Sequence, residues 1–299
     1  MGQDLPSVAV LGAGIMGRGI ARVFAAAGHR VHLRDIDEAA VGRGLDVMRS
    51  DLARSVKRGD VTQDQAEELL ARIVPVVDLG DAVADVDTVI EAAPEDLELK
   101  QRIFADLDRM TRPDAVLATN TSALSISAIA SATSTPERVI GLHFFNPVHR
   151  MQLVEVVLGI STGQDAIARS DAMCESIGKV AVHVADRPGF ATSRINAMIG
   201  NEAFYMLMEG VASAEDIDVS MKLALNHPMG PFELVDLVGL DTRLSVLRRL
   251  YGGLGDKFRP CPLLVSLVEA GRLGRKTGQG VYRYDEKGDR IPGSADDLR

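Results

Sequence analysis

Several things are scarce in this 299-residue chain: it has no tryptophan, two cysteines and only 4% aromatic residues. Cys174 and Cys261 are far apart and fit no metal-ligand spacing, so no metal site is expected and the setting is read as reducing and cytoplasmic. No apolar run approaches the ~20 residues that span a bilayer, which argues against a membrane protein. The N-terminus lacks the basic-then-apolar order of a signal peptide, because its first apolar run ends in a glycine turn. Basic residues are in deficit, and a net charge of −9 argues against nucleic acid as a partner. Hydrophobic residues are not scarce. At 46% they can fill sizeable cores, and the length fits one large or two modest domains.

Ser7-Val8-Ala9-Val10-Leu11 is long enough for one buried parallel strand. It runs into Gly12-Ala13-Gly14-Ile15-Met16-Gly17, followed by Ile20, Val23, Phe24 and Ala27 at helical spacing. Gly12 permits a tight turn, Gly14 lets backbone approach a pyrophosphate, and Gly17 allows close helix–strand packing. A second strand, Val31-His32-Leu33, ends at Asp35, where a carboxylate can accept hydrogen bonds from both adenosine ribose hydroxyls. The carboxylate would repel a 2′-phosphate. Neighbouring Arg34 points to the opposite face by strand alternation, so NAD is favoured over NADP.

His143 sits in His143-Phe144-Phe145-Asn146-Pro147, and Glu155 follows inside the apolar run Leu153 to Leu158. A titratable base in an aromatic loop with a carboxylate on the next strand can form a His–Glu pair, in which the carboxylate fixes the imidazole tautomer. A satisfied core histidine is the competing reading of these residues alone.

After Asp35 comes an amphipathic stretch from Glu38 to Gly59, with Leu45, Met48, Leu52 and Val56 on one face. Arg43, Ser50, Arg54, Lys57 and Arg58 fall on the other. That basic face is either a solvated surface or a contact for the phosphates of an anionic substrate. A return helix from Thr62 to Ile73 opens with the cap-like Thr62-Gln63-Asp64-Gln65. Strands recur at 74–77, 88–90, 115–118, 139–142 and 180–184, separated by helices, which is the pattern of a doubly wound α/β sheet. Ligands bind beyond the carboxyl ends of such strands, and Glu91, Asn120-Thr121-Ser122 and His143 all fall there. From Pro188 to about Ala270 only helical patterns appear. The boundary therefore separates a Rossmann-type domain with a helical-hairpin insertion (1–187) from an all-α domain (188–299). The segments 215–225, 231–238 and 240–251 are short and apolar, as helices covered by a second copy would be. Residues 288–299 read as a polar, frayed end.

Taken together, the chain resembles the L-3-hydroxyacyl-CoA dehydrogenase family in its short bacterial form. The matching text is GAGIMG at 12–17, VIEAAPEDLELK at 89–100, NTSAL at 120–124 and GLHFFNPVHRMQLVEVV at 141–157. Further on come PGF at 188–190, NHPMGPFELVDLVGLD at 226–241 and GRKTGQGVY at 274–282. The resemblance implies NAD held by Gly12, Gly14, Ile15, Met16, Gly17 and Asp35. It places Glu95 and Lys100 near the nicotinamide-side ribose, Ser122 at the substrate hydroxyl and the cofactor, and Asn146 beside the nicotinamide. It makes His143 the base, Glu155 its orienting partner, an acyl-CoA the substrate and the helical domain a homodimer interface. In relatives the coenzyme A contact falls on the helical hairpin, here Arg54 and Lys57.

One position departs from the pattern. The family's asparagine three residues after the phenylalanine of PGF is Ser193 here, with Asn196 one turn further on. Two other functions compete with this one: a dehydrogenase of a free hydroxy acid such as L-gulonate, and a non-catalytic NAD-binding protein. The intact His143, Glu155 and Ser122 argue against the second. Arg187, Arg194 or Arg243 could recognise a second carboxylate on a dicarboxylic acyl chain.

Overall fold

A computed structural model describes residues 5–295 and residue 298. The chain divides into two compact units, Met1–Arg187 and Pro188–Arg299. In the first, β1 (Val8–Leu11), α1 (Ile15–Ala26), β2 (Val31–Arg34) and the hairpin α2 (Glu38–Arg58) and α3 (Gln63–Ala71) precede β3 (Ile73–Val76). There follow α4 (Leu79–Val83), β4 (Thr88–Glu91), α5 (Leu97–Met110), β5 (Val116–Thr119) and α6 (Ile126–Ala130). The unit closes with β6 (Val139–Phe144), β7 (Leu153–Leu158), α7 (Gln164–Ser176) and β8 (Val180–Ala185).

The eight strands form one sheet in the order β3-β2-β1-β4-β5-β6-β7-β8. Pairing is parallel from β3 to β6, antiparallel between β6 and β7, and parallel again to β8. Strands β1, β4 and β5 are buried along their whole length, as a parallel strand covered on both faces must be. Thr62 opens α3 with a capping box: it accepts from Gln65 N at 3.2 Å, while its own N–H donates to Gln65 Oε1 at 2.9 Å. In the middle of α2, Gly44 admits the glycine loop, since a Cβ there would lie 2.7 Å from the Cβ of Ala13.

The second unit holds α8 (Thr192–Met208), α9 (Ala214–Ala224), α10 (Pro231–Val238), α11 (Leu240–Leu254) and α12 (Pro262–Glu269). Its core includes Phe204, Phe232, Leu247, Phe258 and Tyr282. Two fully buried aspartates tie it together. Asp218 accepts from the Phe232 and Glu233 amides and the Tyr282 hydroxyl, and Asp236 accepts from the Val281 and Tyr282 amides and the Tyr284 hydroxyl. The last segment is not simply a frayed tail. Ser294 and Ala295 are buried, and Ser294 Oγ accepts from Arg283 N at 3.0 Å. Residues 296, 297 and 299 lie outside the described residues. Among the described residues no helix is long and apolar enough to cross a membrane.

Candidate active site

The glycine loop leaves β1 at Gly12, whose φ of +104° and a would-be Cβ 2.7 Å from the Ala92 carbonyl oxygen both require glycine. At Gly17 a Cβ would stand 1.7 Å from the Gly12 oxygen, so α1 can pack this closely only without a side chain. Nothing lies within 4 Å of the position a Gly14 Cβ would take. Gly14 also caps α1 without a side-chain hydrogen bond, so the amides of the first turn, at Ile15, Met16 and Gly17, can receive an anion. These residues fit a dinucleotide pyrophosphate. Asp35 accepts from the Ala13 and Ile36 amides, each at 2.7 Å, which fixes its carboxylate beside the loop. Arg34 turns the other way, its Nε donating to the Val77 carbonyl at 3.0 Å.

Beyond β4 lies a buried polar cluster. Glu91 is the last residue of the strand and fully buried, so it sits beneath the rim rather than past it. Its carboxylate accepts from Lys100 Nζ at 2.6 and 2.9 Å, from Thr119 Oγ1 at 2.7 Å and from Ala93 N at 2.6 Å. Lys100 is 1% exposed, and its third donor reaches the Ala93 carbonyl at 3.2 Å. Burial and its protein acceptors leave the ammonium no surface to offer a ligand directly. Lys100 also stands 3.8 Å from Glu95. Glu95 in turn accepts from Thr121 Oγ1 at 2.6 Å and from Ser122 N and Oγ at 3.1 and 3.3 Å. The strand-end Thr119 was missed as a site residue, and its signal was a hydroxyl at the end of an otherwise apolar strand.

His143 lies within β6, one residue before its end, not in a loop. Register places it directly opposite Glu155 on antiparallel β7, and Nδ1 is 2.8 Å from Glu155 Oε2. Both are buried, at 7% and 1% exposure, and the Phe145 ring lies 4.4 Å from the imidazole centroid. Asn120, on the rim where it was expected, accepts from the Phe144 amide at 2.9 Å and so braces β6 against the end of β5. Asn146 is exposed, and a cavity of about 110 Å³ brings it together with Ile15, Arg18 and His149.

On α2, Arg54 and Lys57 are exposed, and Arg54 pairs with Asp51. Neither lines the larger cavity of this unit. That cavity, about 800 Å³, is bounded by Arg22, Leu52, Ser55, Arg58, Asp60, His149, Arg150 and Lys179, among others. Arg58 thus reaches the side of Leu52 and Ser55 rather than the opposite face. Burial, then the neighbouring Arg22 and Arg150, hold the His149 imidazole below its usual range. In the second unit Ser193 is half-buried in the first turn of α8. Among the described residues no three His, Cys, Asp or Glu side chains group as a metal site.

A glycine loop at a helix N-terminus, an acid at the second strand end and a buried His–Glu pair define the class of dinucleotide-dependent dehydrogenases. The comparisons make this specific. Residues 7–187 match the 3-hydroxyacyl-CoA dehydrogenase NAD binding domain, and residues 189–284 match the C-terminal domain of the same family. The chain is 45% identical over 286 residues to the probable 3-hydroxybutyryl-CoA dehydrogenase of Bacillus subtilis, covering 95% of this chain and 99% of that protein. It is 41% identical to the 3-hydroxyadipyl-CoA dehydrogenase of Escherichia coli, covering 97% of this chain and 61% of that protein. The crystal structure of (S)-3-hydroxybutyryl-CoA dehydrogenase from Ralstonia eutropha superposes with a TM-score of 0.90 at 43% identity, covering 94% of this chain and all of that one. The chain belongs to the 3-hydroxyacyl-CoA dehydrogenase family, and its first unit is that family's NAD-binding domain.

Proposed function

We propose that this NAD-dependent 3-hydroxyacyl-CoA dehydrogenase interconverts a short-chain L-3-hydroxyacyl-CoA, with 3-hydroxybutyryl-CoA as first choice, and its 3-ketoacyl-CoA. The buried pair of His143 and Glu155 carries this reading. Oxidising a secondary alcohol removes a proton from oxygen and a hydride from carbon. With Nδ1–H donating to Glu155, Nε2 of His143 carries the lone pair that takes the hydroxyl proton. Glu155 keeps the ring aimed and offsets the charge it gains. NAD, when bound, supplies the hydride acceptor. In the reverse direction protonated His143 polarises the ketone and returns the proton.

Placement supports the remaining roles in this reading. Gly12, Gly14, Ile15, Met16 and Gly17 receive the pyrophosphate, and Asp35 the adenosine ribose. Asn146, on the same small cavity as Ile15, lies on the nicotinamide side. Ser122 binds the substrate hydroxyl, and Glu95, which accepts from Ser122 Oγ, orients it. Lys100 acts through Glu95 as a positioning residue. Arg22, Arg58, Arg150 and Lys179 take the phosphates of coenzyme A in place of Arg54 and Lys57, because they line a cavity and the other two do not. Ser193 supplies a hydroxyl where the family has an amide, and the helical unit is the substrate and dimerisation domain. An apolar cavity of about 730 Å³ on that unit, lined by Met198, Tyr205, Met206, Val211 and Met221 among others, suits a second copy. Two buried free cysteines suit the reducing cytoplasm.

NADH consumption measured with acetoacetyl-CoA against free 3-oxo acids tests the substrate class. The CoA ester should be reduced with the higher kcat/KM, and faster reduction of a free acid would overturn the reading. Sedimentation at micromolar concentration tests the dimer, and a 32.0 kDa species would refute it.

A further inference from the structure

The strand that carries the base runs on past its neighbour. Pairing between β5 and β6 ends at Thr119 and Gly141, whereas β6 continues through Leu142, His143 and Phe144. Beyond Gly141 one side of the strand is held by antiparallel β7, with His143 opposite Glu155 and Phe144 opposite Val154. On the other side β5 has ended. There the Phe144 amide donates to a side chain, Asn120 Oδ1, at 2.9 Å. Asn120 is itself fixed from β4, because its own amide donates to the Glu91 carbonyl at 2.8 Å. One half-buried residue therefore joins the ends of three strands at the rim that carries Ser122 and His143.

What this bond does to the histidine follows from strand geometry. Phe144 is 2% exposed, and its ring meets Phe24 edge-on with centroids 6.4 Å apart, so its side chain is locked into the core. Successive strand residues point to opposite faces, so an anchored Phe144 turns His143 to the other side of the sheet. Glu155 holds the imidazole ring through Nδ1, and Asn120 holds the backbone from which that ring projects. Without the Asn120 oxygen the Phe144 N–H would be buried unpaired. The strand end would relieve this by leaving β5 and would carry His143 with it.

We propose that Asn120 is a positioning residue for the reaction, setting the place of His143 through the Phe144 amide. This rests on the dehydrogenase reading above, with His143 as its base, and adds the backbone support that the base requires. Asn120→Leu keeps the size of the side chain and removes the acceptor. It should lower kcat for acetoacetyl-CoA reduction about 10- to 100-fold, because a misplacement of about 1 Å costs up to about 10²-fold. KM for the ester and NADH affinity should stay within about twofold, since neither ligand is held by the lost bond. Asn120→Asp keeps an acceptor in the same place and should recover most of kcat. In a His143→Gln background Asn120→Leu should have no further effect on kcat, because no base is left to misplace. Should Asn120→Leu fail to fold, Asn120→Ala carries the same expectations. A near-normal kcat in the folded variant would overturn the proposal. So would an equal loss with and without His143, which would mark a general disturbance of the rim. A loss that Asn120→Asp does not restore would also overturn it, and would assign the role to Nδ2 donating to a ligand. Wild type that turns over no CoA ester would instead sink the dehydrogenase reading itself.

Discussion

Asp218 makes the helical unit's stability depend on pH in a direction opposite to ordinary acid denaturation. Burial pushes its carboxyl from 3.8 up to about 6, even though the Phe232 and Glu233 amides and the Tyr282 hydroxyl donate to it. A folded-state pKa above the unfolded one gives stability that is complete below the unfolded value and lost as pH rises through the folded one. The window is therefore about 4 to 6. At about 1.4 kcal/mol per unit, ionised Asp218 costs the fold roughly 3 kcal/mol, of which about half is recovered on going from pH 7.5 to pH 5. Burial raises Asp236 in the same sense. Asp108 in the first unit runs the other way: burial would raise it, but hydrogen bonds from Ser134, Thr135 and Arg138 hold it well below the usual carboxylate range. Its stabilisation is lost only as pH falls below the ordinary aspartate value, outside this window. The readout is already in the chain. There is no tryptophan, and all four tyrosines, Tyr205, Tyr251, Tyr282 and Tyr284, lie in the helical unit. Tyrosine fluorescence should give a melting midpoint about 5 °C higher at pH 5 than at pH 7.5. Asp218→Asn should flatten most of that rise whatever its own midpoint. A midpoint equal or lower at pH 5, or an undiminished rise in the variant, would refute the reasoning.

Lys100→Met strands the Glu91 carboxylate in the interior and should destabilise the protein by about 3–5 kcal/mol in urea unfolding. Adding Glu91→Gln should restore part of that loss, and a double variant no better than the single would show the pair is not coupled. His143→Gln should lower kcat about 10²- to 10⁴-fold with NADH affinity little changed, and Glu155→Gln should do less harm because orientation survives. A near-normal kcat in His143→Gln would move the base elsewhere. Asp35 should give NAD the higher kcat/KM, and equal or better values with NADP would contradict that role. Ser193→Ala should cost one hydrogen bond, about 0.5–1.5 kcal/mol in kcat/KM, and no effect on any acyl-CoA would take Ser193 out of the site.

The α/β architecture was legible because its signals are local. A buried parallel strand reads as a short apolar run, and Val8–Leu11, Thr88–Glu91 and Val116–Thr119 are buried at every position. Gly17 is dictated by the Gly12 carbonyl five residues before it, so that spacing carried the turn, whereas the close approach of Gly12 to the Ala92 carbonyl is long-range and was not readable. The pairing of His143 with Glu155 was legible for a different reason. The intervening segment is short enough that an antiparallel return was the simplest way to bring an acid in an apolar strand opposite a base. What the sequence hid was the exact end of β6, because Phe144 extends the strand past the histidine, paired with Val154 of β7 and held at its amide by Asn120.

A lysine or arginine in sequence does not reveal where its charged end lies. The helical wheel left the basic face of α2 either solvated or in contact with phosphates, and long flexible side chains at a helix end can cross to the other side, as Arg58 does beside Ser55. Lys100 is the inverse case. It stands on α5 nine residues after Glu91, and only the return of the chain over the end of β4 brings the two to 2.6 Å. Once buried, the ammonium donates to Glu91 and the Ala93 carbonyl and approaches Glu95, which in turn accepts from Ser122. A lysine expected near a cofactor can therefore owe its place to the buried polar cluster beneath the site. Substitution at Lys100 should then change stability and the geometry at Ser122 together, whereas loss of a direct cofactor contact would change NAD affinity alone.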